Sequence, residues 1–234
     1  MQDEILKHTK NIYNEVKSVK HTFGEKAKEI IIEILIIVFA VTLSIWLHSW
    51  SEEKHQQKEA QTFLISLKED LKNDISNLKK TKETLNQTQH QIFFILNLTP
   101  KKIDSIKNNH QQINSGTNFI NTIANNGRYE GFKSSGKINT IEDENLRNKI
   151  LSYYQQTIPQ ISLIETSYEK LSSRYLDLLI GGKEDEDINT TLLNKRTKII
   201  LSGINNFTKY NQKYYEDAIK DAEDIIKKID VNEK

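Results

Sequence analysis

The sequence predicts an all-α protein, in which an N-terminal amphipathic helix precedes one transmembrane helix that continues into an antiparallel helical bundle. Three observations predict this fold class. Residues 30–50 form a long apolar run, later segments carry apolar residues at helical spacing, and turn formers are sparse, with 8 Gly and 2 Pro in 234 residues. Strand-rich folds need more turn residues than this chain contains.

The apolar run, residues 30–50, reads IIIEILIIVFAVTLSIWLHSW. As a helix it is about 31 Å long, close to the thickness of a bilayer's hydrocarbon core. Trp46 and Trp50 are expected to anchor one end at the membrane–water interface. A buried core helix and a cleaved signal peptide are the alternatives. No other segment is apolar enough to cover such a core helix, and no small-x-small site follows the run, so an uncleaved signal anchor is favoured.

Lysine counts beside the run predict its orientation. Five lysines lie within 20 residues before it and three within 20 residues after it: Lys10, Lys17, Lys20, Lys26 and Lys28, against Lys54, Lys58 and Lys68. The positive-inside rule therefore places the N-terminus in the cytoplasm and the C-terminal domain in the periplasm, across a bacterial inner membrane. The predicted domains are a cytoplasmic amphipathic segment, the transmembrane helix, an extracytoplasmic helical bundle and a tail: 1–29, 30–50, 51–230 and 231–234.

The cytoplasmic segment has two interpretations. Its apolar residues recur at helical spacing with lysines on the flanks, which is typical of a helix lying on the inner leaflet. A short coiled coil that oligomerises the protein is the alternative. In either case we expect Gly24 to separate this helix from the apolar run.

A helix is expected to continue from the run as far as Thr99-Pro100, because residues 51–54 contain neither Gly nor Pro. Five apolar residues recur at intervals of seven, with five companions: Leu64, Leu71, Leu78, Leu85 and Ile92, accompanied by Phe63, Leu67, Ile75, Phe93 and Leu96. Lys82 and Gln89 occupy the second position of this seam. A bundle inside one chain therefore fits better than a free-standing coiled coil.

The middle of the chain is less regular. A weak helix and a short second helical piece are predicted over residues 101–127. Gly136 is expected to end a helical turn in left-handed geometry, and Asn139 or Thr140 to cap the next helix. Residues 134–137 read Ser-Ser-Gly-Lys, but they lack the upstream glycine and the preceding strand of a phosphate loop.

Two further long helices complete the predicted bundle. Residues 142–180 carry two offset series at intervals of seven: Tyr154, Ile161, Tyr168 and Tyr175, with Thr157, Ile164, Leu171 and Leu178. Such a seam suits near-antiparallel packing, and Pro159 should kink or divide the helix. Residues 189–230 are expected to pack through one face formed by Leu193, Ile200, Ile204, Phe207, Tyr210, Tyr214, Ala218, Ala222, Ile225 and Ile229.

The composition argues against several kinds of function. A net charge of +1 gives no field that favours nucleic acid, and a chain without cysteine has no thiolate chemistry. Its six histidines lack metal-ligand spacing, and no catalytic motif is present. We therefore expect no cofactor, no metal and no enzymatic activity. Glu33 is the one acidic residue inside the run; it either sits at the headgroup boundary or lines an oligomer interface or proton path.

Several blocks of the sequence stand out together: Ile32-Glu33-Ile34, residues 46–54, residues 63–71, Tyr129-Glu130 with residues 133–138, residues 146–150 and Tyr153-Tyr154. In this order and spacing they resemble an uncharacterised single-span membrane-protein family of Bacteroidota. Their counterparts in the family are a Gly-Glu-Ile opening, Asn-Asn-Trp-Asn-Glu, YL..L..DL and YE.LKSSG.L…LR..I..YY. Here Ile32 replaces the opening Gly and His48-Ser49 replaces the Asn pair. The resemblance implies an inner-membrane protein with its C-terminal domain outside the cytoplasm, and it implies no activity.

Three functions remain open at this point. The first is a non-enzymatic scaffold or interaction protein that contacts the lipid bilayer and a protein partner or further copies of itself. The second is a ligand-sensing or effector protein that signals through its span, with a pocket lined by Tyr154, Tyr168 and Tyr175. The third and weakest is an oligomeric pore, for which Glu33, the only acidic residue of the run, is the sole support.

Overall fold

The computed structural model describes residues 23–114, 117–118, 120, 122, 124–181 and 188–232. The predicted amphipathic helix therefore lies outside the described residues up to residue 22, as do the last two residues of the tail. Over the described ranges the chain is helical and contains no strand, which confirms the predicted fold class.

The helices in chain order are α1 (Phe23–Leu96), α2 (Pro100–Asn108), α3 (Gly127–Ser134), α4 (Glu144–Ser152), α5 (Ile158–Ile180), α6 (Ile188–Leu193) and α7 (Lys195–Asn232). A 3₁₀ turn at Lys137–Thr140 follows α3, and a π-helical turn at Tyr153–Thr157 joins α4 to α5. The chain divides into two compact units, Met1–His55 and Gln56–Lys234, of which the first contains the apolar run and the second the bundle.

Helix α1 ends where the sequence predicts. Its described part begins at Phe23, next to Gly24, and the residues before Phe23 lie outside the described ranges, so the separation expected at Gly24 stays a prediction. At the other end, the hydroxyl of Thr99 accepts a hydrogen bond from the N–H of Lys102 at 3.3 Å, and Pro100 occupies the first turn of α2.

The bundle of the second unit is antiparallel, as its hydrogen bonds and ion pairs demonstrate. Partners on α1 and α7 run in opposite directions along the chain: Lys79 with Glu223 at 3.3 Å, Lys82 with Glu216 at 2.6 Å and Asn86 with Gln212 at 2.6 Å. Two apolar clusters form the core. One cluster contains Tyr168, Tyr175 and the C-terminal half of the part of α1 that belongs to the bundle. The other cluster contains Tyr154 and the N-terminal half of that part.

The buried face of α1 differs from the predicted seam in its second row. The first row is confirmed from Leu71 onward, since Leu71, Leu78, Leu85 and Ile92 are at most 1% exposed, whereas Leu64 is half-buried. The second row lies three residues further on rather than at Lys82 and Gln89, and it consists of Leu67, Asp74, Thr81, Thr88 and Ile95. Because three members of this second row are polar, a pattern of apolar residues does not predict it. Phe93, an expected companion of the seam, is instead 64% exposed.

The middle of the chain contains fewer helices than expected. The described residues between Asn114 and Gly127 form no helix, and Gly127 begins α3 rather than closing a helical piece. Gly136 adopts the predicted left-handed geometry, with φ 76°. Asn139 and Thr140 lie in the 3₁₀ turn instead of capping α4. The cap is Asp143, whose carboxylate accepts a hydrogen bond from the N–H of Leu146 at 3.0 Å.

The third long segment is divided close to Pro159, as predicted. Proline has no N–H to donate to the carbonyl four residues before it, so the regular hydrogen-bond ladder cannot pass this point. The chain adapts with the π-helical turn at Tyr153–Thr157, and Pro159 falls in the first turn of α5. Helix α5 then ends at Ile180, where Gly181 is the cap.

Helix α7 packs through the predicted face, except that Tyr210 and Tyr214 lie outside the core. Tyr210 and Tyr214 are 75% and 45% exposed, whereas their neighbour Tyr215 is fully buried. The buried row runs through Thr208 and Asn211, which an apolar pattern overlooks. Thr208 fits there because its hydroxyl donates to the carbonyl of Ile204 at 2.9 Å and so has a partner inside its own helix.

Candidate functional site

The apolar run is the most unusual surface of the molecule. Its large apolar side chains are between 41% and 66% exposed, and Trp46 and Trp50 are 61% and 52% exposed. Among the described residues it is the one helical stretch long and apolar enough to cross a membrane, and none of that stretch is buried. The core helix of a soluble protein would instead be mostly covered by its neighbours.

Two polar side chains in the middle of the apolar run find partners within their own helix, and Glu33 lies near the start of the run. The hydroxyl of Thr42 donates to the carbonyl of Val38 at 2.9 Å, and that of Ser44 donates to the carbonyl of Ala40 at 2.8 Å. Such internal bonds suit an apolar surrounding that offers no partners. Glu33 is exposed, and its role at an interface or in a proton path stays a prediction.

Inside the bundle, buried side chains hold the irregular stretch between α2 and α3. The carboxylate of Asp74 accepts from the N–H of Asn125, and the carboxylate of Glu165 accepts from the N–H of Thr122, both at 2.9 Å. The hydroxyl of Tyr168 donates to the carbonyl of Asn118 at 2.9 Å. Backbone groups without helix or sheet partners must be satisfied in this way when they are buried.

The second row of α1 supplies Asp74 and two further anchors of this kind, Thr81 and Thr88. Asp74, Thr81 and Thr88 lie at intervals of seven and are at most 9% exposed. Thr81 shares a hydrogen bond with Thr122 at 2.9 Å, and Thr88 accepts from the side-chain amide of Asn118 at 3.0 Å. In the sequence, these anchors could be found as short hydrogen-bonding side chains at intervals of seven, in the same row as the apolar residues Leu67 and Ile95.

The two buried carboxylates also bind tyrosines. Tyr153 donates to Asp74 at 3.4 Å, and Tyr215 donates to Glu165 at 2.9 Å. Burial is the main cause that raises the pKa of Asp74, and it likewise raises the pKa of Tyr153 and Tyr215. These carboxylates therefore act as acceptors that join the helices to the irregular stretch.

The three tyrosines of the predicted ligand pocket do not lie in one cluster. Tyr168 and Tyr175 belong to one apolar cluster, and Tyr154 belongs to the other. Tyr154 stacks on Tyr129 with ring centroids 4.4 Å apart, and its buried hydroxyl has no hydrogen-bond partner in the structure. Burial raises the pKa of Tyr175 to about 12. A ligand at these residues stays a prediction.

The residues that resemble a phosphate loop, 134–137, make contacts that stabilise the fold. Ser135 donates to the carbonyl of Phe132 at 2.7 Å, and Lys137 forms an ion pair with Glu59 of α1 at 2.9 Å. The turn after α3 is thereby fastened to α1. Within the described ranges, no group of three or more His, Asp or Glu side chains is placed to hold a metal ion.

A groove of about 320 Å³ lies on the surface between α5 and α7. It is lined by Gln156, Thr157, Gln160, Ile161, Tyr214, Asp217 and Asp221. The sequence interpretation missed it, because it assigned Tyr214 to the core. Helices α5 and α7 are antiparallel here, since Thr157 donates to Asp221 at 3.2 Å while the Glu165–Tyr215 bond lies further along α5 and earlier in α7.

These features define a helical-bundle protein with a separate, exposed apolar helical stretch. Residues 33–179 match the model of a family of unknown function, DUF6090, and since this is more than half of the chain, the chain belongs to that family. The matched part extends from within the apolar run almost to the end of α5 and leaves out α7. No curated protein and no solved structure matches the chain.

Proposed function

We propose that this protein is a single-pass membrane protein whose helical bundle binds another protein, without enzymatic activity. The exposed apolar run carries the proposal. Fifteen of its side chains are large, apolar and exposed. Burial of each such side chain is favourable by about 1.5–3 kcal/mol, so leaving the set in water costs at least about 20 kcal/mol. A lipid bilayer removes that cost.

The bundle supports a binding role in two ways. Two of its buried carboxylates, Asp74 and Glu165, already accept hydrogen bonds that hold the fold together. Its surface, in contrast, exposes large apolar side chains outside the run, among them Phe93, Leu163 and Tyr210. Exposed apolar and aromatic side chains are typical of surfaces that bind other proteins.

The lysine distribution favours a cytoplasmic N-terminus and a periplasmic bundle in a bacterial inner membrane. Fusions of alkaline phosphatase after residue 60 and at Lys234 should both be active, since this enzyme works only in the periplasm. Green fluorescent protein at the same two positions should be dark. Fluorescence from both fusions would overturn the orientation and leave the membrane anchor intact.

Membrane anchoring has its own experiment. After alkaline carbonate extraction the wild-type chain should remain in the membrane pellet, because a span is held by lipid and not by charge. A variant carrying Ile36→Lys and Phe39→Lys should move to the soluble fraction, since each charge near a span's centre costs about 3 kcal/mol. The matched control Ile65→Lys and Phe93→Lys should stay in the pellet. Release of the wild-type chain would overturn the anchor.

A further inference from the structure

The groove between α5 and α7 is bordered by two parallel strips of side chains. On α7 the groove is lined by Tyr214, Asp217 and Asp221, and opposite them lie Gln156 and Gln160. Tyr210 precedes Tyr214 by four residues and Leu163 follows Gln160 by three, so helical spacing places these two side chains just beyond the lining residues, at the same end of the groove. From Tyr210 to Asp221 the strip of α7 spans about 16 Å, or three helical turns.

The two ends of the groove differ in character. Toward one end, Tyr210, Leu163 and Tyr214 are 75%, 61% and 45% exposed and form an apolar, aromatic surface. Toward the other end, Asp217 and Asp221 lie beside the amides of Gln156 and Gln160. A ligand that fits the whole groove must therefore be apolar at one end and cationic or hydrogen-bonding at the other.

The carboxylates of the groove differ from the others on α7. Glu216, Glu223 and Asp224 each pair with a lysine of another helix. In the described part of the chain, no lysine or arginine pairs with Asp217 or Asp221. The nearby Lys220 lines the opposite groove, between α7 and α1. The acidic end of the α5–α7 groove thus faces solvent without a counterion from its own fold.

We propose that this groove binds an amphipathic helix of a partner protein. Its apolar face would cover Leu163, Tyr210 and Tyr214, and a lysine or arginine would reach Asp217 and Asp221. Two antiparallel helices present a straight trough that suits a third helix, in the same way as other helix-in-groove complexes. The inference rests on the proposed function of the bundle and adds the class of partner that it binds.

Two synthetic helical peptides test the groove directly. Both carry the same leucine stripe, and one has lysines where the other has glutamates. Fluorescence anisotropy measures their binding to the full chain in nanodiscs of uncharged lipid, with empty nanodiscs as the blank. The lysine peptide should bind at least about tenfold more tightly, because a charge contact of about 1.4 kcal/mol corresponds to a factor of ten.

Variants separate the groove from general electrostatic attraction. Asp217→Asn with Asp221→Asn should abolish the preference for the lysine peptide, whereas the control pair Glu216→Gln with Glu223→Gln should retain it. Tyr210→Ser should weaken both peptides. Equal binding of both peptides to the wild type, or the same loss of preference in the control pair, would overturn the proposal. Circular dichroism confirms that each variant is folded.

Photo-crosslinking in cells distinguishes failure of the groove from failure of the binding function. A photoreactive amino acid replaces Tyr210 in one chain and Phe93 in another. An adduct with a second protein at position 210 that is lost in the Asp217→Asn and Asp221→Asn background supports the groove. An adduct at position 93 alone overturns the groove and keeps the binding function. No adduct at either position overturns both, and an adduct between two copies of this chain overturns the partner class.

Discussion

Replacing Asp74 by leucine removes the acceptor of three hydrogen bonds. Asp74 is 1% exposed and accepts from the N–H and the side-chain amide of Asn125 at 2.9 and 3.5 Å and from the hydroxyl of Tyr153 at 3.4 Å. Tyr153 is buried, and a buried donor without a partner costs about 1–3 kcal/mol, whereas Asn125 is exposed and can donate to water instead. Because the bond of Tyr153 is long, we expect the three bonds together to contribute about 1–3 kcal/mol. The apolar contacts of leucine offset part of this, and we expect a net loss of about 1–2 kcal/mol.

Asp74→Asn is the matched variant, because its amide keeps the acceptor for Asn125. We expect its stability at neutral pH to lie within about 1 kcal/mol of the wild type. Glu69→Leu, an exposed change on the same helix, is the control and should have almost no effect. Urea unfolding of the full chain in detergent, followed by near-ultraviolet circular dichroism, measures all three variants.

The pH dependence of the same pair provides a second readout. Burial raises the pKa of Asp74 above 3.8, so the folded state holds this proton more tightly than the unfolded state. The stability contributed by this group is therefore present below pH 3.8 and is lost as pH rises through the folded pKa. Asp74→Asn cannot titrate and should gain stability relative to the wild type as pH rises through that window.

Two results would refute this reasoning about Asp74. If Asp74→Leu were as stable as the wild type, the carboxylate of Asp74 would not hold the irregular stretch between α2 and α3. If Asp74→Asn lost stability relative to the wild type as pH rose, burial would not dominate the pKa of the carboxyl group.

Three further predictions concern the same bundle. Glu165→Ala should lower the free energy of unfolding by about 2–4 kcal/mol in the urea assay, since the buried hydroxyl of Tyr215 and the N–H of the half-buried Thr122 lose their acceptor, whereas Glu165→Gln should recover most of it. In thermal melts, Tyr215→Ala should lower the stability of the fold by about 3–5 kcal/mol, whereas Tyr210→Ala should lower it by under about 0.5 kcal/mol. Equal effects would mean that the core face of α7 is misassigned. Gly136→Ala should destabilise by about 1–2 kcal/mol because of its positive φ, whereas Gly131→Ala, which meets open space in α3, should stabilise by about 0.5–1 kcal/mol in the same melts.

Local chain chemistry was enough to predict many boundaries. Thr99-Pro100 ends the first long helix, Gly136 takes the left-handed geometry, and Pro159 lies at an interruption, as expected. Each is set by one residue's own steric limits, which act through its immediate neighbours. The cap of α4 was less predictable, since Asn139, Thr140 and Asp143 are all capping residues and only the docking of the preceding turn decides among them.

The core rows were harder to predict, because burial does not require an apolar side chain. Thr88 and Asn211 are buried in rows that an apolar pattern passes over, and Tyr214 was placed in the core although it is half exposed. What matters is whether a distant segment supplies a partner. Asn118 does so for Thr88, and no spacing rule within α1 contains that information.

The sequence by itself determined the helical class, the apolar run and the first row of the α1 seam. These depend on hydrophobicity and on periods of seven, which are properties of neighbouring residues in the chain. Only the tertiary structure decided that Asp74 and Glu165 hold an irregular stretch, and that Tyr214 and Asp217 border an open groove. The physical reason is that a polar side chain's environment depends on which helix packs beside it, and that is set by contacts far apart in sequence.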